Sequence, residues 1–509
     1  MAARWKKFVH SGVYFPPTYQ ARGLSVKING KKFKLNPEQE EMIWAWAKKI
    51  PTPYSNDEVF ASNFLADFKK VLPKEFANIK IGDIDFSDIV KIQEAEKNLS
   101  KEDKKALAIE RKKNREKLKE KYGYVDIDGN KAEVANYMVE PPGIFIGRGN
   151  HPLRGKWKYR IQEGDVILNL SKDALIPAGQ WKKVINGDEF MWVASWEDRL
   201  TGKVKYVWPS ESSSLRQAQD QLKYDKAMMV EKNIEKIRKC IDDSMKSKDV
   251  ATRKVATVCY IIDKLVMRVG DEKDEDEADT VGASTLRVEH IKFKPDGVEF
   301  DFLGKDSVRW QKTIPISDAE PMFVKNMKEF TNDKKHEELV FDGITSRTVN
   351  LFLGGCVKGV TAKVFRTYHA TKTLQAYLNE LKIKQNDSAW MKLYYAKMGN
   401  VEVALTCNHK KTPPKTWEET FARKQEKLNK LMATTPKTEK QAAKLKEMIE
   451  KMKLDIELAR KTKELNLGTS LKNYIDPRVY RAWLDKVGLD WTKMYTAALQ
   501  KKFSWTEKK

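Results

Sequence analysis

Apolar residues recur at alternating three- and four-residue steps through Ala442, Leu445, Ile449, Met452, Ile456 and Ala459, within a stretch made largely of lysine and glutamate. Such spacing keeps one stripe on one side of a helix and defines a heptad seam. An earlier helical stretch carries Phe421, Leu428 and Leu431, and Thr434-Thr435-Pro436-Lys437-Thr438 separates the two. The pattern predicts that residues 412 to about 465 fold back as an antiparallel coiled coil with solvated basic faces.

Elsewhere the period changes. Leu24 to Phe33 reads as a hairpin around Asn29-Gly30. Ser100 followed by Asp103 opens a helix that runs to Tyr122, with Gly123 as its stop. That helix is charged nearly all round, and a solvated face is its plain reading. From Ile144 to Trp208 the pattern turns to β, with strands expected over Asp165–Leu170 and Phe190–Trp196. Helices are expected from Leu215 to Val269 and again from Lys325 to Cys407. Between them lies a hairpin, Val298 to Trp310, with Gly304-Lys305-Asp306-Ser307 as its turn and Lys305 at the tip. The fold class is thus multidomain α+β, because 509 residues exceed what one core organises.

Charge narrows the partner. The net charge of +24 produces a field that attracts polyanions, and duplex DNA is the default reading. No run of 18 or more apolar residues is present and no signal-peptide pattern opens the chain, so a membrane role is not expected. Four cysteines without a C-x-x-C pair argue against a disulfide frame and against zinc; buried thiols are expected. Gly304-Lys305-Asp306-Ser307 is not a nucleotide-binding loop, since Glu299 stands where the first glycine of that motif belongs.

The candidate chemistry lies in five separated segments: Arg268 in KLVMRVG, Lys305 in FDFLGKDS, Arg366 in TAKVFRTY, His409 in CNHKK, and Tyr474 in GTSLKNYIDPR. Arg, Lys, Arg, His and then Tyr, in that order, form a phosphodiester-cleaving set. The segments around all five resemble eukaryotic type IB DNA topoisomerases, and the likeness runs from about Trp5 to Trp505. A long, highly charged N-terminal tail, common in that family, does not precede the matched region; a compact enzyme or a trimmed chain would both fit.

The resemblance implies a C-shaped clamp around duplex DNA. Its parts would be a mixed α/β DNA-binding cap over 1–213 with an inserted subdomain at about 20–103, and a mainly helical, recombinase-like catalytic core over 214–411. A coiled-coil linker over 412–465 and a small helical C-terminal domain over 466–509 would complete it. Tyr474 would attack phosphorus in line, Arg268 and Arg366 would place planar forks on the non-bridging oxygens, and His409 would add a hydrogen bond. Lys305 would protonate the leaving 5′ oxygen, because a lysine crowded by cations gives up its proton readily. Fixed cations would neutralise the transition state without an essential metal, and the retained ester would make ATP unnecessary.

By the same resemblance Arg148, Trp192, Lys205, Tyr206, Lys223, Thr280, Asn350, Lys363 and Lys427 fall in DNA-contacting segments, and Arg148, Asp306 and Asn473 match camptothecin-contacting positions. Contacts mainly to the backbone imply weak sequence preference. A monomer is expected, located in the nucleus, or at a viral replication site or in a virion if the source is a virus. Three rival readings fit some of the features, one of them an inactive or heteromeric relative, which is disfavoured because the core and the tyrosine sit in one chain. A tyrosine recombinase shares the chemistry but exchanges strands, and a basic architectural protein would bind DNA without forming an adduct.

Overall fold

The computed structural model describes residues 3–147, 149–270, 281–304 and 308–507. Arg148, Thr280, Lys305 and Asp306 therefore lie outside the described residues. Helices and strands are mixed in two compact units, one built on residues up to 216 and the other on residues from 217 onward.

In the first unit, strands Phe8–His10, Tyr124–Ile127 and Asn130–Glu133 form an antiparallel sheet. A second sheet runs in the order Lys183–Ile185, Ile167–Asn169, Ala194–Glu197, Val204–Val207, its first pair parallel and the others antiparallel. Trp5, Phe8, Val125, Leu168 and Trp196 bury against one another between these elements. The predicted strand from Phe190 begins only at Ala194. The buried Asn169 carboxamide is the reason: it donates to the carbonyls of Gly187 and Trp192 and accepts from the Gly187 N–H, replacing ladder bonds there.

The expected hairpin is present as Ser25–Ile28 paired with Lys31–Lys34. Asn29 and Gly30 take φ values of 50° and 78°, the left-handed pair that a two-residue type I′ turn requires. Helix Lys101–Tyr122 starts where the Ser100 side chain accepts from the Asp103 N–H, ends at Gly123, and buries none of its residues. Its charged sequence and its solvated state agree.

In the second unit, helices Ser214–Ser244 and Val250–Leu265 pack with an antiparallel three-stranded sheet, Ile291–Lys294, Gly297–Gly304 and Val308–Pro315. The last two strands pair in register from Gly297↔Pro315 to Gly304↔Val308. Helices Pro321–Thr331, Ser346–Cys356, Ala362–Glu380 and Ala389–Thr406 follow. Leu374, Leu378, Tyr480, Leu484 and Phe503 belong to a further apolar cluster that seats the C-terminal helices.

The expectation for the cysteines is corrected in part. Cys240 and Cys356 form a disulfide with Cα atoms 6.0 Å apart, whereas Cys259 and Cys407 are free and buried. The bonded pair is 116 residues apart in sequence. Only the packing of two helices brings them together, and local spacing carries no trace of that.

Helices Trp417–Met432 and Glu439–Lys461 run antiparallel. Lys463 pairs with Glu418 at 2.7 Å and lies over the Trp417 ring, while Arg460 lies over Phe421. On the heptad stripe Ile456 is buried and its companions are half-buried. Leu454 and Leu458, which are off that stripe, pack with Tyr394 and Met398 of Ala389–Thr406. The second helix thus has two apolar faces, one for its partner helix and one for the core.

Candidate active site

Two helix ends build the site. Helix Ala389–Thr406 closes with Asn408 at φ 52°, the Asn408 N–H bonded to the Leu405 carbonyl and the His409 N–H to the Ala404 carbonyl. That pair of bonds is a Schellman closure, and asparagine is one of the few side chains that tolerates the left-handed position. The closure turns His409 inward, where it is 5% exposed.

Helix Val250–Leu265 ends less comfortably. Its cap is Val266 at φ 54°, ψ 36°, a left-handed conformation that costs a β-branched residue on the order of 1–3 kcal/mol. The chain then turns to Arg268 and is pinned by hydrogen bonds from the Ala283 N–H to the Arg268 carbonyl and from the Ser284 N–H to the Val269 carbonyl. Gly270 has φ +86°, and a Cβ there would lie 2.8 Å from the Gly282 Cα. Only glycine permits this approach.

Arg366 comes from the buried face of Ala362–Glu380 and is 3% exposed. Its guanidinium donates to the carbonyls of Val266 and Cys407, the first residue beyond each of the two helices, and lies 3.3 Å from His409 Nε2. Tyr474 follows helix Leu467–Asn473. Ser470 in that helix donates to Asn400, and Thr371 accepts from the Asp476 N–H, so both sides of Tyr474 are fastened. Its ring lies 5.1 Å from the Arg366 guanidinium carbon and 5.1 Å from the His409 ring, centre to centre.

The electrostatics follow from this crowding. Burial alone would raise the Tyr474 phenol, but the charges of Arg366 and Arg268 and their hydrogen bonds to it prevail and hold it below its ordinary value. Burial, then Arg366 and Arg268, push His409 down to about 3, so its imidazole is neutral. With Arg366 donating to Nε2, the His409 proton resides on Nδ1. Among the described residues that nitrogen and Arg366 Nε are buried without a hydrogen-bond partner. A phenol beside two guanidinium groups and idle donors is a setting prepared for an anion.

Arg268, Arg366, His409 and Tyr474 are therefore brought together from four segments. Lys305 lies outside the described residues, although the strands flanking it are paired up to Gly304↔Val308. In the first unit Trp192 is buried, while Tyr206 is exposed on the strand that also carries Lys205; the Trp192 and Tyr206 rings are 5.9 Å apart. In the second unit Lys363, Lys427 and Asn473 are exposed. Lys223 is held by Asp220 at 2.8 Å, and burial lowers its ammonium. Asn350 spends its carboxamide oxygen on the Ala362 N–H, at the start of the helix that carries Arg366. Sequence reasoning assigned no role to Thr371, Asn400, Asp476 and Lys312, whose hydrogen bonds fasten the segments that carry the site.

Comparison with known proteins gives the class. Residues 3–209 match the eukaryotic DNA topoisomerase I DNA binding fragment, 212–443 the catalytic core of that enzyme, and 446–509 the C-terminal topoisomerase domain. The chain is 38% identical to DNA topoisomerase 1 of Chlorocebus aethiops and 37% identical to that of Homo sapiens, in each case over 99% of this chain and 70% of the relative. DNA topoisomerase 1 alpha of Arabidopsis thaliana is 37% identical over 99% of this chain and 58% of its own length. The chain belongs to the eukaryotic DNA topoisomerase I family. It is an isomerase of the type IB class that binds DNA and relaxes supercoils.

Proposed function

We propose that Tyr474 is the nucleophile of the relaxation reaction, and that Arg268, Arg366 and His409 stabilise its transition state. The observation that carries this is the convergence of those four side chains, with the phenol lowered by the two guanidinium groups. The phenol loses its proton to water and its oxygen attacks phosphorus. The P–O5′ bond breaks, and the electron pair leaves on O5′, which takes a proton from Lys305. Arg366 Nε and the His409 Nδ1–H, which have no hydrogen-bond partner among the described residues, gain an acceptor when a phosphate oxygen arrives.

The product is a 3′-phosphotyrosine ester and a free 5′ hydroxyl. Rotation about the intact strand releases torsion of either sign, and reversal of the step reseals the nick. The ester preserves the bond energy, so ATP has no part to play, and the fixed cations supply the charge that a metal would otherwise provide. The domain scheme of cap, core, linker and C-terminal domain, closing as a clamp on duplex DNA, belongs to the same reading. So do a monomeric state, a nuclear location, DNA contacts through Arg148, Trp192, Lys205, Tyr206, Lys223, Thr280, Asn350, Lys363 and Lys427, and camptothecin contacts through Arg148, Asp306 and Asn473.

The test is relaxation of negatively and positively supercoiled plasmid with EDTA and without ATP, adducts being trapped with detergent. Relaxation of both signs, with a 3′-linked adduct that disappears in Tyr474→Phe, is expected. An adduct that persists in Tyr474→Phe would overturn the assignment of the nucleophile.

A further inference from the structure

Lys312 stands on strand Val308–Pro315, opposite Phe300. Its ammonium leaves that strand and donates to the Thr406 carbonyl at 2.6 Å and to the Leu265 carbonyl at 3.4 Å. These are the final residues of helices Ala389–Thr406 and Val250–Leu265. Helix C-termini leave carbonyls without intrahelical partners and carry the negative end of the macrodipole, so one cation serves two helix ends.

The order of contacts is informative. Lys312 holds Leu265 and Thr406, and Arg366 holds the next residue of each chain, Val266 and Cys407. Two residues further along, the same chains carry Arg268 and His409. Lys312 and Arg366 thus form successive rungs between two strands of backbone that lead directly into the site.

We propose that Lys312 is a positioning residue of this reaction: by clasping the Leu265 and Thr406 carbonyls it sets the spacing at which Arg366 spans Val266 and Cys407 and faces Tyr474. The inference rests on the assignment of Tyr474 as nucleophile. Keeping this cation there has a cost. Burial and then the Arg366 charge, opposed by the neighbouring Cys407, bring the Lys312 ammonium down to about 8, whereas an apolar side chain would incur no such penalty. What it supplies in return is a donor to each of two carbonyls at helix ends, where the helix itself offers none.

The test compares Lys312→Met, which keeps the stem and loses the donors, with Lys312→Gln, which keeps two N–H donors without charge. Ionisation of the Tyr474 phenol is followed by ultraviolet titration of the DNA-free protein, as the difference from a matching Tyr474→Phe protein. Single-turnover adduct formation and DNA affinity are measured on the same variants. In Lys312→Met the phenol is expected to ionise at higher pH and adduct formation to slow about tenfold, with affinity unchanged, because Arg366 is no longer held against the ring. Lys312→Gln should restore both readings.

An unaltered phenol titration in Lys312→Met overturns the proposal, as does an equal loss in the Gln and Met variants. If Lys312→Met does not fold, Lys312→Gln carries the test: a phenol titration like that of the lysine form supports the clasp, and a raised one overturns it. A chain that forms no adduct at Tyr474 would sink the nucleophile assignment, while the phenol titration would still decide what Lys312 does.

Discussion

At the residue scale the site is a balance between burial and charge. Tyr474 is half-buried, which favours the neutral phenol, yet two arginines draw it the other way. Because the phenolate is the attacking form, the cleavage rate should rise with pH through a value below the ordinary phenol pKa of about 10. Arg366→Lys, a point charge in place of a fork, should move that limb to higher pH; single-turnover rates between pH 6 and 10 measure it. His409 is pushed down to about 3 and should contribute no acid limb between pH 5 and 8 in the same profile. Gly270→Ala places a methyl 2.8 Å from the Gly282 Cα at a φ that alanine resists. Displacement of the Arg268 segment, with a stability loss of about 2 kcal/mol and a larger loss of cleavage, is the expected outcome, read by urea titration beside adduct formation.

Elements decide what a given residue can reach. Ile456 is the buried member of its heptad stripe on helix Glu439–Lys461. Ile456→Ala should cost roughly 2–4 kcal/mol, felt first in the helical pair, and hydrogen exchange would locate it there. Several local features were legible in sequence: the Asn29-Gly30 turn, the Ser100 cap, the Gly123 stop and the pairing of strands expected over Val298 to Trp310. Each depends on backbone preferences within about four residues. The Asn408 closure that aims His409 is of the same kind and was readable in principle from Cys-Asn-His. The late start of strand Ala194–Glu197 was not, because a side chain 25 residues away, Asn169, holds that backbone.

On the scale of the whole molecule, charge and burial set the response to solution conditions. With a net charge of +24, and for a protein that neutralises on the order of 6–10 phosphates, DNA affinity should fall about 10³-fold or more between 50 and 200 mM salt, which a filter-binding series would show as a steep log–log slope. Each unit also buries a neutral histidine. Burial brings His10 in the first unit down to about 4, although hydrogen bonds with the backbone of Asn169 and Val193 oppose it, and His409 in the second unit lies at about 3. Both groups titrate near 6.5 in the unfolded chain, so stability is full above that value and falls as the pH drops toward the folded-state values. At pH 5 the loss should be about 2 kcal/mol for each histidine relative to pH 7, measurable as a lower urea midpoint.

By itself the sequence determined the polyanion partner, most element types, and the five residues whose order resembles a phosphodiester-cleaving set. These depend on composition, on periodicity and on short segments that keep their character wherever they fold. Tertiary structure alone decided that the carbonyls of Val266 and Cys407 would seat Arg366 and that Lys312 would bridge the helix ends behind it. It also decided that Cys240 would meet Cys356, and that Asn350 and Lys223 would be engaged within the protein. In each case a polar group must find its partner once burial removes water, and the partner that lies within reach is set by how distant segments pack, which no local pattern records.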